Sequence, residues 1–120
     1  MKIKMFAAAA LVAITGAFGA TTAAQADSPT PTKVTIKGEN GDYFGKVKSD
    51  DNDCESNRTV KVYEMLGNSP APKTDNVIGT DTADNGEWSI GNSGYKDGSF
   101  YAKVKKTDHC GADLSKVIVR

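Results

Sequence analysis

Ser99-Phe100-Tyr101-Ala102-Lys103-Val104-Lys105 is the run that decides the fold class. Phe100, Ala102 and Val104 fall on one side of an extended chain, and Tyr101, Lys103 and Lys105 on the other. Successive side chains of a strand point to opposite faces of its sheet, so this period of two is the mark of a half-buried β-strand. The alternation returns on either side. Val34 and Ile36 alternate with Lys33, Thr35 and Lys37, and Tyr43 to Lys48 reads Tyr-Phe-Gly-Lys-Val-Lys. Thr59 to Met65 follows, then a threonine-rich strand from Val77 to Thr82, a short one from Glu87 to Ile90 holding Trp88, and a closing one from Ser115 to Arg120. No segment beyond residue 26 has a helical period.

Between the runs lie turns with a known mechanism. Asn40-Gly41 and Asn85-Gly86 suit type I′ hairpins, which need positive φ at both central residues. Gly67-Asn68-Ser69-Pro70, Asn92-Ser93-Gly94 and Asp97-Gly98 mark longer loops. About seven short strands so punctuated predict an all-β antiparallel sandwich. Its expected inward set is Val34, Ile36, Val47, Val60, Val62, Ile78, Trp88, Ile90, Phe100, Ala102, Val104, Val117 and Val119.

The N-terminus has the layout of a secretory signal peptide over residues 1–26. Lys2 and Lys4 precede an alanine-rich apolar stretch, and Ala24-Gln25-Ala26 supplies a small-x-small cleavage pattern. An uncleaved anchor is the alternative, although Gly16 and Gly19 weaken the stretch and no basic stop-transfer cluster follows. Residues 27–32, broken by Pro29 and Pro31, read as an extended leader, and residues 33–120 as the sandwich domain. A secreted, extracellular location is expected, with no membrane insertion after cleavage. The whole chain carries 15 basic and 15 acidic residues. Loss of Lys2 and Lys4 leaves the remainder at −2, which speaks against a general nucleic-acid binder.

Two cysteines, Cys54 and Cys110, with no Cys-x-x-Cys spacing and one histidine, His109, read as a structural disulfide in an exported chain. Two free thiols are the alternative reading. A bridge would close a loop worth about 4 kcal/mol by chain entropy.

The order of segments resembles a known family. Gly45-Lys46-Val47 is followed by Arg58-Thr59-Val60-Lys61-Val62-Tyr63, then by Gly79-Thr80-Asp81-Thr82-Ala83-Asp84-Asn85-Gly86-Glu87-Trp88-Ser89-Ile90, then by Gly98-Ser99-Phe100-Tyr101-Ala102-Lys103-Val104. This is similar to the carboxypeptidase regulatory-like and transthyretin-like (prealbumin-like) domains, from Gly45 to Val104 and onward toward Val119. The acidic Ser49-Asp50-Asp51-Asn52-Asp53-Cys54 stands where such domains often carry a proline- and glycine-bearing segment. The resemblance implies a seven-stranded Greek-key sandwich that acts as an accessory, adhesive or ligand-binding module, with no catalytic motif to transfer.

The chemistry-bearing candidates are few. Asp50, Asp51 and Asp53 could offer oxygens to calcium, but the spacing is not that of an EF-hand, and a solvated inter-strand loop is the plainer reading. His109 alone does not make a zinc site or a nucleophile's base. No enzyme and no cofactor are expected. The alternation instead places Phe44, Tyr63 and Tyr101 outward with Lys46, Lys61 and Lys103. Aromatic rings can stack on sugars or peptide side chains, and ammonium groups attract phosphate or carboxylate. A secreted non-catalytic module for a cell-wall glycopolymer or a protein partner is the leading expectation. The alternatives are a structural or self-associating module, and an inhibitor presenting the loop from Gly67 to Asn76.

Overall fold

The computed structural model describes residues 28–120; the expected signal segment lies outside them. The described chain is all-β, with nine strands in two antiparallel sheets and one short 3-10 turn. The strands are β1 (Thr32–Val34), β2 (Lys37–Glu39), β3 (Asp42–Ser49), β4 (Arg58–Glu64), β5 (Asn76–Ala83), β6 (Glu87–Ile90), β7 (Ser99–Val104), β8 (Asp113–Leu114) and β9 (Ile118–Val119). The first sheet has the order β9-β7-β4-β5, with β8 also on β7; in the second, β1, β2 and β6 all pair with β3.

Both Asn-Gly dipeptides turn as their chemistry dictates. Asn40 and Gly41 have φ of 51° and 88°, and Asn85 and Gly86 have 52° and 76°. The second turn does more than reverse the chain. Asp84 and Glu87 exchange backbone hydrogen bonds across it, after which β5 stays in the first sheet and β6 joins the second. Asn85-Gly86 is therefore a corner between layers.

Two expected strands are interrupted, each for a visible reason. The run from Lys33 onward splits into β1 and β2, although both pair with β3 in one continuous register, Val34 facing Val47 and Lys37 facing Phe44. At the break, the Thr35 carbonyl accepts a hydrogen bond from the Trp88 indole Nε1 at 3.2 Å. The amide of Lys46 is served by the Thr35 hydroxyl instead, at 2.9 Å. Gly45 permits this, since a Cβ there would lie 1.9 Å from the Thr35 carbonyl oxygen.

The C-terminal strand is split by a bulge. Lys103 faces Leu114 and Phe100 faces Ile118, so three steps along β7 match four on its partner. Ser115 fills the gap, its amide donating to the Ala102 carbonyl and its hydroxyl accepting from the Ala102 amide. One extra residue inverts the facing of everything after it. Ile118 thus packs against the core, while Val119 is 75% exposed and Val117 only half-buried, which corrects the expected inward set.

The rest of that set behaves as alternation requires. Val34, Ile36, Val47 and Trp88 from one sheet meet Val60, Val62, Phe100, Ala102 and Val104 from the other, with Ile78 and Ile90 at the margin. Tyr43 joins them unexpectedly, its ring 4.9 Å from Phe100 and its hydroxyl donating to the Tyr95 carbonyl.

Cys54, in the 3-10 turn Asn52–Glu55, is bonded to Cys110, which follows β7. Beside the bridge sits Arg58, 1% exposed. Its Nη1 donates to the Cys54 carbonyl and the Thr32 hydroxyl, and its Nη2 to the carbonyls of Lys105 and Gly111. No carboxylate is among these partners; burial pushes the guanidinium below its ordinary pKa. Thr30 completes this end, bridging in parallel to Cys110, with its amide on the His109 carbonyl and its own carbonyl on the Gly111 amide. Of the segment read as a leader, Thr30 and Thr32 are thus tied into the fold.

Candidate functional site

On the outer face of the first sheet, β4 and β7 set Lys61 directly opposite Lys103. Each is flanked by buried residues of its own strand, Val60 and Val62 for Lys61, Ala102 and Val104 for Lys103, so both side chains leave the sheet on the solvent side. Lys105 continues the row, its amide donating to Thr59 across the same ladder. With Tyr63, the three lysines line a hollow of about 130 Å³. Among the described residues the single ion pair is Lys46 with Glu87, so no carboxylate neutralises this cluster. Like charges set opposite one another across a ladder oppose folding, and no carboxylate lies within ion-pair distance of these two.

The expected binding face does not exist as one surface. Phe44 and Lys46 lie on β3 in the second sheet, whereas Lys61, Tyr63, Tyr101 and Lys103 lie in the first. Phe44 is open to solvent and Lys46 is exposed, with its ammonium 2.8 Å from Glu87; that bond holds the Glu87 carboxyl below its usual range.

Tyr101 and Tyr63 do point away from the core between the sheets, but they are covered, which corrects their expected exposure. Tyr101 is fully buried and Tyr63 is 5% exposed. They face one another in register, with rings stacked 5.1 Å apart. The segment after β4 returns over them. Asp75 accepts from the Tyr101 hydroxyl at 2.5 Å and from the amides of Leu66 and Ala71. Burial, then the Asp75 carboxylate, pushes the Tyr101 phenol far above its ordinary range, and the phenol in turn holds Asp75 low. Alternation gives the side of a sheet on which a residue stands, but not whether a loop lies over it. The loop from Gly67 to Asn76 is therefore anchored by Asp75 to its own sheet, with Gly67, Asn68 and Ser69 exposed at its tip.

The acidic segment is organised by the backbone. Asp51 caps the 3-10 turn, accepting from the Asp53 amide at 2.9 Å, and Glu55 accepts from the Ser49 amide at 3.0 Å. Asp81 and Asp84 likewise receive the amides of Ser89 and Asn57. Among the described residues no three His, Cys, Asp or Glu side chains converge to hold a metal ion, so Asp50, Asp51 and Asp53 do not assemble as calcium ligands. His109 is exposed beside the bridged Cys110 and lines an open hollow with Asp51, Asp53 and Asp108.

Arg58 and Asp75 were not legible from the sequence. Arg58 stands in the sequence as the first residue of the run Arg58 to Tyr63, and three of its four partners are backbone carbonyls, which carry no sequence signal. Comparison with known proteins adds nothing to this picture: no family model, no curated protein and no solved structure matches the chain.

Proposed function

We propose that the chain is a secreted, non-catalytic binding module that holds an anionic glycopolymer of the cell surface through Lys61, Lys103 and Lys105. The observation that carries this reading is the unneutralised pairing of Lys61 with Lys103 across the β4–β7 ladder. A sheet that needs only solubility has no reason to set two ammonium groups opposite one another, because interspersed charges of both signs serve that end without the repulsion. A phosphate or carboxylate bridging the lysines would relieve the repulsion, while the buried Tyr63 ring forms the floor of the hollow and holds Lys61 and Lys103 on a rigid sheet. The disulfide suits an oxidising compartment, and no helix among the described residues is long and apolar enough to cross a membrane.

The prealbumin-like reading belongs to the same proposal. Counting β1 with β2 and β8 with β9 as single interrupted strands leaves seven, the number a Greek-key sandwich of that kind has. The Asn85-Gly86 corner, the Trp88 register and the β7 alternation are what support it.

Binding of the purified protein to poly(glycerol phosphate), polygalacturonate and neutral dextran tests the function. The proposal expects affinity for one or both charged polymers, falling with salt, and at least a tenfold loss in Lys61→Gln/Lys103→Gln. Equal binding to dextran, or an unchanged affinity in the double variant, would overturn it.

A further inference from the structure

The second sheet repeats the arrangement on the opposite side of the molecule. Lys33 of β1 faces Lys48 of β3 in register. Both are exposed, and each adjoins residues that turn into the core: Thr32 and Val34 beside Lys33, Val47 beside Lys48. The two ammonium groups therefore leave the outer face of the second sheet, as those of Lys61 and Lys103 leave the outer face of the first. Lys37 and Phe44, also cross-strand partners, continue this face. Of its four lysines, Lys33, Lys37, Lys46 and Lys48, only Lys46 has a carboxylate partner. Glu55 and Asp50 rim the hollow that Lys33 and Lys48 line, but Glu55 is turned in to the Ser49 amide and Asp50 pairs with neither lysine.

We infer that Lys33 and Lys48, with Lys37 and the open ring of Phe44, form a second site for the same class of anionic glycopolymer. The inference rests on the function proposed above for the first face. The two sites lie on the outer faces of opposite sheets, about 10 Å apart at the backbone and farther at the ammonium tips. They point in opposite directions, so one polymer strand does not reach both without wrapping the domain. The module is thus bivalent and joins two strands. The rimming carboxylates make the second face the weaker one.

The test uses the purified protein with poly(glycerol phosphate), following light scattering as protein is titrated in, beside a direct measurement of affinity. The inference expects scattering to rise and then fall as excess protein saturates each strand separately. Lys33→Gln/Lys48→Gln should keep affinity within about threefold of the wild type yet lose the scattering peak. Lys61→Gln/Lys103→Gln should lower affinity at least tenfold, to what the weaker second face supplies, and lose the scattering peak. All four substitutions are at solvent-facing positions, and thermal unfolding checks that each variant is folded. Sedimentation velocity without polymer should show a monomer, since a dimer joining two strands through its first faces would overturn the second site. A scattering peak that survives in Lys33→Gln/Lys48→Gln would overturn it too. Absence of wild-type binding would instead defeat the function proposed for the first face, and the two failures are told apart by the affinity measurement.

Discussion

Trp88 and Thr35 are joined through the indole Nε1 and a carbonyl oxygen at 3.2 Å, and that bond is taken out of a β-ladder to be made. The ladder survives because the Thr35 hydroxyl stands in as acceptor for Lys46 and because Gly45 has no side chain. Gly45→Ala should cost about 3 kcal/mol, since its Cβ meets backbone that cannot rotate away. Gly67→Ala, with nothing within 4 Å, should be close to neutral. Urea unfolding of the two variants side by side measures the contrast.

Arg58 ties together three segments distant in sequence through Thr32, Cys54, Lys105 and Gly111. Arg58→Met should cost about 3 kcal/mol or more, because buried carbonyls lose their donors together. Arg58→Lys should recover only part, as an ammonium cannot span the same fork of acceptors. The loss should be smaller when measured in a Cys54→Ser/Cys110→Ser background, where one of the segments is already loosened.

Reduction of the Cys54–Cys110 bridge, which closes a 56-residue separation, should remove about 4 kcal/mol from the stability of the domain. That is much of what a small domain possesses. Thermal melts with and without reductant report the change.

The Tyr101–Asp75 bond has a signature at both ends of the pH scale. The folded Asp75 pKa lies below its ordinary 3.8, so its stabilisation is present above that value and is lost as pH falls through the folded pKa. The Tyr101 pKa lies above its ordinary 10.0, so stability is complete below 10.0 and declines as pH rises beyond it. Tyr101→Phe should flatten both limbs of a stability–pH curve. Part of the alkaline slope should remain, since burial also raises Tyr43 and Tyr63.

Lys61→Gln should stabilise the protein by about 0.5 kcal/mol at low salt, by relieving Lys103. The gain should fade as salt screens the pair. A substitution that strengthens the fold while weakening polymer binding separates the role of this lysine from the needs of the sheet.

Period two along Ser99 to Lys105, the Asn-Gly turns and the cysteine pair were enough to read an all-β, disulfide-linked sandwich, and most of its core followed. Val117 and Val119 misled because the bulge at Ser115 is set by pairing with β7, which no local pattern records. Tyr63 and Tyr101 misled for a different reason. Their side of the sheet was legible, but the covering loop depends on Asp75, one acid among many in the sequence. The lysine pairs were legible as outward residues but not as partners, because register between strands distant in sequence is a tertiary property.

Thr30, the first of the described residues tied into the sheet architecture, is held by His109 and Gly111, far away in sequence. The clasp at the disulfide end cannot close on a nascent polypeptide until the segment through Gly111 has emerged. During synthesis this end therefore stays open while the strands between Thr30 and His109 can already pair with one another. The domain's own connectivity thus makes this clasp one of the last of its contacts to be completed in order of synthesis.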